Sequence, residues 1–353
     1  MLLTPGPTAL PPSVKEAMSR DLVNPDVDPG FRETYDDVTE KLAEIHGSDD
    51  DVVVLGGEGI LGLEAAIAST VDDGDDVLCL SNGLYGDGFA DFAEDYGADA
   101  TLVGAEYDEP LDIDALEATL ESGDFDVATM VHCETPTGTL NDIGPALDLL
   151  NDHGALTVVD AVSSLGGTPV PVEDIDICIG GSQKCFSAPP GLATLSVSDA
   201  AWERIEERDP DTLYTNLLPW KEVEGMFPYT HLTTLVVALD AALDLLVDEG
   251  VESVYERHEE AAQVCRERGR ELGLDLYPGE ERSSPTVTAF HVPGRAEEMQ
   301  ATLADEHDLT LATGLADLSN DILRVGHMGY NAEVETVETA MDAIGEVLDG
   351  DAP

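Results

Sequence analysis

The sequence predicts an α/β protein with a large domain on a mostly parallel, helix-covered sheet and a smaller C-terminal α+β domain. Its 353 residues exceed what one ordinary hydrophobic core organises, which indicates two domains. Apolar strand-like runs alternate with amphipathic stretches from about residue 50 onward, and this alternation is typical of parallel sheets covered by helices. From residue 275 the pattern changes to strand, helix, strand, helix. We therefore predict domains of 1–250 and 251–353.

Each predicted strand of the large domain is a short apolar run that ends in small or polar residues. The predicted strands are 52–55, 77–80, 127–132, 156–160, 175–180 and 192–197. The stretches between and after them repeat apolar residues at helical spacing. The predicted helices are 63–71, 88–96, 113–120, 145–153, 199–208, 233–248 and 251–272, with a loop rich in proline and aromatic residues at 210–229.

The charge of the chain is extreme, because 15 Lys and Arg face 75 Asp and Glu and leave a net charge of −60. Such a protein repels itself in dilute buffer, whereas molar salt shortens the screening length to about 3 Å. We therefore expect a halophilic protein of a salt-accumulating cytoplasm. The alternative is an acidic surface that serves solubility, but −60 exceeds what solubility requires. This charge also argues against sequence-independent binding to nucleic acid or to anionic membranes.

Targeting and metal signals are weak in this sequence. No apolar run approaches the roughly 20 residues that span a bilayer, and residues 1–12 lack the basic and apolar regions of a secretory signal. The eight histidines show no metal-ligand spacing, so we predict no metal site. No C-x-x-C pair occurs, and we expect reduced, mostly buried thiols. The cysteines are Cys79, Cys133, Cys178, Cys185 and Cys265.

Lys184 is the first candidate for chemistry, since it follows an apolar strand and a loop of small residues, unlike the other three lysines. In open α/β sheets ligands bind at the carboxyl ends of strands. A partly desolvated lysine has a lowered pKa and can form an imine. The alternative is a lysine whose apolar stem is buried while its amine reaches solvent. The lysine alone does not decide between these interpretations.

Asp160 strengthens the first interpretation because it ends the strand that precedes the Lys184 strand. Pyridoxal chemistry requires a carboxylate beside the pyridine nitrogen and a lysine that forms a Schiff base. Aspartates also end strands as turn formers or helix caps, so Asp160 alone is weak support. Together the two residues predict bound pyridoxal 5′-phosphate.

A glycine-rich loop at 57–62 follows the strand 52–55 and opens a helix. It matches the G-x-G-x-x-G pattern of dinucleotide-binding folds. In those folds an acidic residue ends the next strand, whereas here Ser81 does. The loop can instead bind a single phosphate at the helix N-terminus, or merely shape a tight turn.

Three further residues suit an aromatic cofactor and an amino-acid substrate. Tyr85 follows a strand end and could stack on a flat ring, while the Thr135 hydroxyl could reach the ring's phenolic oxygen. Each also fits an ordinary loop. Arg324 lies in an apolar strand and could bind a substrate carboxylate, although a structural ion pair would explain it equally.

Taken together, these segments resemble the class V aminotransferases of fold type I, in particular the alanine–glyoxylate and serine–pyruvate aminotransferase family. The likeness runs from residue 2 to residue 326 and is most specific at 158–167, 181–184 and 188–191. It implies a sheet of the seven-stranded type.

The resemblance also implies the site residues. Lys184 would bind the cofactor and Asp160 its ring nitrogen. Arg324 would bind the substrate carboxylate, and Gly6, within an N-terminal segment 1–20 that lines the active site, would line the substrate mouth. Thr230 would reach the phosphate of a partner subunit, which implies a homodimer with shared active sites. The implied cofactor contacts are Gly57, Glu58, Gly59, Ile60, Tyr85, Thr135, Asp160, Val162, Gln183, Lys184 and Thr230.

Glu58 departs from the family pattern, which usually has serine or another small polar residue at this position. A carboxylate beside a phosphate dianion is repulsive. We expect the Glu58 side chain to turn away, or to pair with a cation, and to contribute its backbone N–H. Ile60 also stands where a polar residue is common and offers only its backbone.

The predicted reaction is transamination from a small amino acid, alanine or serine, to a small 2-oxo acid, glyoxylate or pyruvate. Arg32 is the one possible extra cation for a larger substrate. A lyase of the same fold, such as a cysteine desulfurase, would need a mobile late cysteine, and only Cys265 comes late. A nicotinamide-dependent dehydrogenase is the alternative from another class.

Overall fold

The centre of the molecule in the computed structural model is a seven-stranded sheet. The structure describes residues 1–221, 223 and 226–350. The strands up to residue 197 are β1 (Asp51–Gly56), β2 (Asp76–Ser81), β3 (Asp99–Gly104), β4 (Val127–Val131), β5 (Cys133–Glu134), β6 (Thr139–Leu140), β7 (Leu156–Asp160), β8 (Ile177–Gly181) and β9 (Leu192–Val197). The sheet order is β1-β9-β8-β7-β4-β2-β3, and β5 and β6 form a separate hairpin.

All neighbouring strands of the central sheet are parallel except β9, which runs antiparallel to both β1 and β8. The prediction of a mostly parallel sheet is therefore confirmed. Every residue of β4, β8 and β9 is buried, which explains why these strands are continuous apolar runs in the sequence. Strand β3 lies at the sheet edge with only one of its six residues buried, and the sequence prediction omitted it.

Helices cover this sheet and the smaller one beside it. They are α1 (Pro12–Ala17), α2 (Pro29–His46), α3 (Gly59–Thr70), α4 (Leu84–Asp95), α5 (Ile113–Leu120), α6 (Gly144–His153), α7 (Asp199–Arg208), α8 (Thr233–Glu249), α9 (Val251–Glu271), α10 (Ala296–His307) and α11 (Val334–Gly350). No element was predicted before residue 50, yet α1 and α2 precede β1. The start of α2 is well specified, because Asp28 accepts the N–H groups of Gly30 and Phe31.

A second, antiparallel sheet follows α9. Its strands are β10 (Asp275–Leu276), β11 (Thr288–His291), β12 (Ala312–Thr313) and β13 (Ile322–Val325), in the order β10-β11-β13-β12. The predicted strand–helix–strand–helix pattern missed the two-residue strands β10 and β12, which are too short for a recognisable alternation. Each sheet has its own hydrophobic core. Along α9, Val254 belongs to the core of the central sheet and Ala261 to the core of the second sheet. The boundary at residue 250 stays a prediction.

The N-terminal segment joins both units. The Leu3 N–H donates to the Thr310 carbonyl, and the Leu3 carbonyl accepts the Gly326 N–H. Five residues later the Thr8 N–H donates to the Gln183 carbonyl beside β8. All five cysteines are buried and unpaired, as expected. Among the described residues, no helix has the length and apolar character needed to cross a membrane.

Candidate active site

The carboxyl ends of the central strands surround a cavity of about 300 Å³. Its lining contains all the predicted site residues except Gly57, Thr230 and Arg324. The lining residues are Gly6, Pro7, Glu58, Gly59, Ile60, Leu63, Tyr85, Thr135, Asp160, Val162, Gln183, Lys184 and Pro190. Within residues 1–221, 223 and 226–350, no group of three or more His, Cys, Asp or Glu side chains is placed to hold a metal ion.

Lys184 lies in the turn that follows β8, and its side chain is only 9% exposed. Its Nζ donates a hydrogen bond to the Pro5 carbonyl at 2.8 Å. Burial, together with the Arg324 charge, lowers the pKa of Lys184 to about 8, although the Asp160 carboxylate opposes the shift. A substantial fraction of this amine is therefore neutral near pH 8 and able to attack a carbonyl carbon.

Asp160 ends β7, the strand beside β8, where it lies opposite Ile179. Its Oδ1 accepts the N–H of Val162 at 2.8 Å, which holds the carboxylate at the cavity wall. Burial raises the pKa of Asp160 to about 6, while the Val162 N–H and the Lys184 charge oppose this rise. The group is a carboxylate at pH 7 and can pair with a protonated pyridine nitrogen.

Gly6 brings the N-terminal segment directly over Lys184. Its φ of +84° lies in the left-handed region, and a Cβ built at this position would lie 2.4 Å from Lys184 Cδ. Only glycine allows this approach. Pro5, whose carbonyl accepts the lysine amine, was missed by the sequence reasoning, although the residue that follows it was predicted to line the mouth.

Tyr85, in the first turn of α4, and Thr135, in the turn after β5, both line the cavity. The Thr135 hydroxyl forms a hydrogen bond with that of Ser163. The N–H groups of Tyr85 and Gly86 donate to Glu134 at 3.3 and 2.8 Å. Burial raises the pKa of Glu134 to about 8. The sequence reasoning missed Glu134, although an acidic residue so soon after a fully apolar strand was a usable signal.

Arg324 approaches the cavity from β13 of the second sheet. Its Nε donates to the Thr313 carbonyl and its Nη1 to the Thr135 carbonyl at 2.9 Å. These bonds use two of the five N–H donors of the guanidinium, which leaves donors for a carboxylate. The side chain is absent from the cavity lining, but its contact with lining residue Thr135 places it at the rim.

The predicted phosphate loop differs from expectation at two residues. The Gly57 N–H donates to the Gly191 carbonyl, so this group is not directed at a ligand. The Glu58 side chain neither turns away nor pairs with a cation. Its Oε1 accepts the Ile60 N–H at 3.4 Å and its Oε2 accepts Nε2 of Gln183 at 3.1 Å. The expectation for the Glu58 side chain was therefore wrong, because hydrogen bonds to its own helix and to Gln183 hold the carboxylate at the cavity. The contribution of the Glu58 backbone N–H stays a prediction.

Thr230 is exposed and does not line the cavity of its own chain. Its neighbours are fixed to β1: the Gly56 N–H donates to the Tyr229 hydroxyl at 2.7 Å, and His231 Nε2 lies 3.0 Å from the Val54 carbonyl. Burial lowers the pKa of His231 to about 4, so the ring is neutral and Nε2 is its donor. The predicted contact with a partner subunit stays a prediction.

A reactive buried lysine and a buried aspartate at neighbouring strand ends of a seven-stranded, mostly parallel sheet define a fold type I pyridoxal-phosphate enzyme. The family model described as "Aminotransferase class-V" matches residues 2–335, and the chain belongs to this family. Class V aminotransferases depend on pyridoxal 5′-phosphate, and the chain is an enzyme with transaminase activity.

Several relatives are similar over nearly their whole length. An uncharacterized aminotransferase of Methanocaldococcus jannaschii is 35% identical, with 96% of this chain and 90% of the relative covered. The pyridoxamine–pyruvate transaminase of Mesorhizobium japonicum is 32% identical, with 98% and 91% covered. The solved structure of alanine–glyoxylate aminotransferase from Nostoc sp. superposes with a TM-score of 0.94 at 30% identity, with 98% and 94% covered.

The cavity fits the ring of the cofactor well. Lys184, Asp160 and Tyr85 supply an amine, a carboxylate and an aromatic face within one cavity. The desulfurase alternative lacks its nucleophile, since Cys265 is fully buried in α9 with its Sγ 3.7 Å from Met341 Sδ. The dehydrogenase alternative is wrong, because the family is that of aminotransferases.

Proposed function

We propose that this aminotransferase moves an amino group from alanine or serine to glyoxylate or pyruvate. The observation that carries this proposal is the pairing of buried Lys184 and Asp160 at one cavity, with the donors of Arg324 at its rim. A cavity of about 300 Å³ suits a cofactor ring with a small substrate. Among the described lining residues, Lys184 is the only cation, so nothing in the lining favours a donor with a second acidic group.

The bound cofactor supplies an electron sink for the pair released at the substrate α-carbon. Lys184 Nζ, neutral in part near pH 8, would move a proton from the donor's α-carbon to the C4′ carbon of the cofactor, and in the opposite direction when the acceptor is bound. Asp160 keeps the ring nitrogen protonated. Arg324 orients the substrate carboxylate with the donors that Thr135 and Thr313 leave. Pro5 and Gly6 lie against the lysine, and its burial limits the access of water.

The relatives support this substrate class, although their names differ in the amino donor. One acts on alanine and glyoxylate, one on ureidoglycine and glyoxylate, and one on pyridoxamine and pyruvate. The acceptor in each name is glyoxylate or pyruvate, both small 2-oxo acids. The relatives therefore support the identity of the amino acceptor more strongly than that of the amino donor.

We further infer a homodimer in a salt-rich cytoplasm. Exposed apolar side chains lie around the segment that holds Thr230, including Met226 at 73% and Leu232 at 42% exposure, and a second copy would cover them. The net charge of −60 supports the salt-rich compartment. Sedimentation in 2 M KCl tests the dimer, and a monomer at micromolar concentration would exclude it.

One spectrum tests the catalytic proposal. Protein purified in multimolar KCl and supplied with the cofactor should show the visible band of the Lys184-bound form. Alanine or serine should shift this band, while the Lys184→Ala variant should show neither the band nor turnover. A colourless protein that binds NAD, or normal transamination by Lys184→Ala, would refute the assignment.

A further inference from the structure

The end of the cavity that faces helix α3 already contains a negative group of the protein itself. A helix N-terminus attracts anions because its first N–H groups are unpaired and its dipole is positive there. Glu58 precedes α3, and its side chain accepts the N–H of Ile60. The carboxylate therefore occupies the N-terminus of α3, where a phosphate would otherwise be attracted.

Gln183 reinforces this arrangement from the opposite side. Its Nε2 donates to Glu58 Oε2 at 3.1 Å, which directs the donor end of the amide to the carboxylate. The other end, Oε1, is buried without a hydrogen bond partner, and the residue is only 6% exposed. Both side chains thus offer acceptor oxygens. A phosphate dianion also offers only acceptors, whereas a ligand hydroxyl offers a donor.

The charges of the lining point in the same direction. Among the described lining residues, the charged groups are Glu58, Asp160 and Lys184, so their sum is negative. The Glu58 charge raises the pKa of both Asp160 and Tyr85, after burial in each case, which places the carboxylate close to the ring-binding residues. No described arginine, and no second lysine, lines this cavity to neutralise a phosphate.

We propose that this site binds the vitamers without phosphate, pyridoxal and pyridoxamine, as exchangeable ligands in preference to the phosphate ester, with the ligand's 5′-hydroxyl donating to Glu58. The inference rests on the proposed function, since Lys184 and Asp160 still hold the ring. It deepens that function by naming a further substrate class.

Pyridoxamine then serves as the amino donor itself. Its amine moves from the C4′ carbon to the carbonyl carbon of a 2-oxo acid, and the carbonyl oxygen of the acid ends as the aldehyde oxygen of pyridoxal through exchange with water. The C4′ carbon is oxidised by two electrons and the acid carbon is reduced by the same two. The reaction therefore needs no other oxidant or reductant.

Direct binding tests the proposal without relying on activity. Dissociation constants of pyridoxal and of pyridoxal 5′-phosphate are measured with protein freed of cofactor, by visible absorbance at one KCl concentration. The variants are Glu58→Gln and Glu58→Ser. If one of them fails to fold, the other still tests the proposal. The matched control is Glu94→Gln, which removes an exposed carboxylate from α4.

Wild-type protein should bind pyridoxal at least as tightly as its phosphate ester. Both Glu58 variants should bind the phosphate ester about tenfold or more tightly than wild type, and pyridoxal less tightly, because the repulsion and the hydroxyl acceptor are removed together. The control should match wild type. If wild type prefers the phosphate ester, and if neither Glu58→Gln nor Glu58→Ser changes that preference, this inference alone is overturned. If wild type binds neither pyridoxal nor pyridoxal 5′-phosphate, the proposed function is overturned as well.

Discussion

Replacing Gly6 by alanine tests the way in which the N-terminal segment positions the catalytic lysine. A Cβ at this residue would lie 2.4 Å from Lys184 Cδ and 2.6 Å from Cε, whereas ordinary van der Waals contact lies at 3.4–4 Å. The φ of +84° adds backbone strain. Gly74 provides the matched control, since its φ is +88° and a Cβ there would meet nothing within 4 Å.

The two contributions can be separated by magnitude. A left-handed residue other than glycine costs about 1–2 kcal/mol, so Gly6→Ala and Gly74→Ala should both lower the free energy of unfolding by that amount. Only Gly6→Ala also displaces the lysine. To restore an ordinary contact, Lys184 Cδ must withdraw by about 1 Å, and a misplacement of this size at a catalytic group costs on the order of 100-fold in rate.

The assay pairs denaturant unfolding with single-turnover transamination at saturating cofactor. We expect Gly6→Ala to be about 100-fold slower than Gly74→Ala at similar stability. Equal rates in the two variants would show that the close approach to Lys184 has no catalytic consequence, and the reasoning would be refuted.

Three more outcomes follow from the site. Since burial lowers the pKa of Lys184 to about 8, the rate of aldehyde capture by the cofactor-free protein should rise with pH with a midpoint near 8; a midpoint near that of an ordinary lysine would contradict this. Arg324→Leu should raise the KM for alanine by about 10- to 100-fold and leave the spectrum of the bound cofactor unchanged, and an unaltered KM would remove Arg324 from the substrate site. The folded pKa of Glu134 is raised from 4.5 to about 8, so the native state holds a proton that the unfolded state releases, and wild type should lose a few kcal/mol of stability as pH rises from 5 to 8. Unfolding of Glu134→Gln at both pH values should show a smaller decline; an equal decline would place the effect elsewhere.

Strand and helix locations were readable because burial on both faces makes each inner strand a continuous apolar run. The direction of β9 was not readable from its own residues, since an apolar run has the same pattern whichever way it points. The connection held a usable signal. Residues 182–191 join β8 to β9 with too few residues for the crossover that parallel neighbours need. Strand β3 was missed because its edge location leaves only one of its six residues buried.

The sequence predicted those site residues whose type the chemistry requires. It did not predict the contacts that depend on the torsion angles of a side chain. Asp160 and Lys184 were identified from their place at strand ends, and the structure brings both to one cavity. The direction of Glu58 depends on a choice between solvent and the first turn of α3, which composition does not encode. The use of the Gly57 N–H by Gly191 is a contact between residues distant in sequence, so no local pattern reveals it.

The N-terminal segment also sets when the active site can form during synthesis. Leu3 bonds to Thr310 and Gly326, and the Leu2 carbonyl accepts the side chain of Asn331, so residues 2 and 3 depend on partners that are synthesised much later. Until residues 310–331 have been made, residues 2 and 3 lack these partners, and the bond from Thr8 to Gln183 holds the segment near Lys184. A nascent or truncated chain without residues 310–331 therefore holds Pro5 and Gly6 less firmly over the lysine.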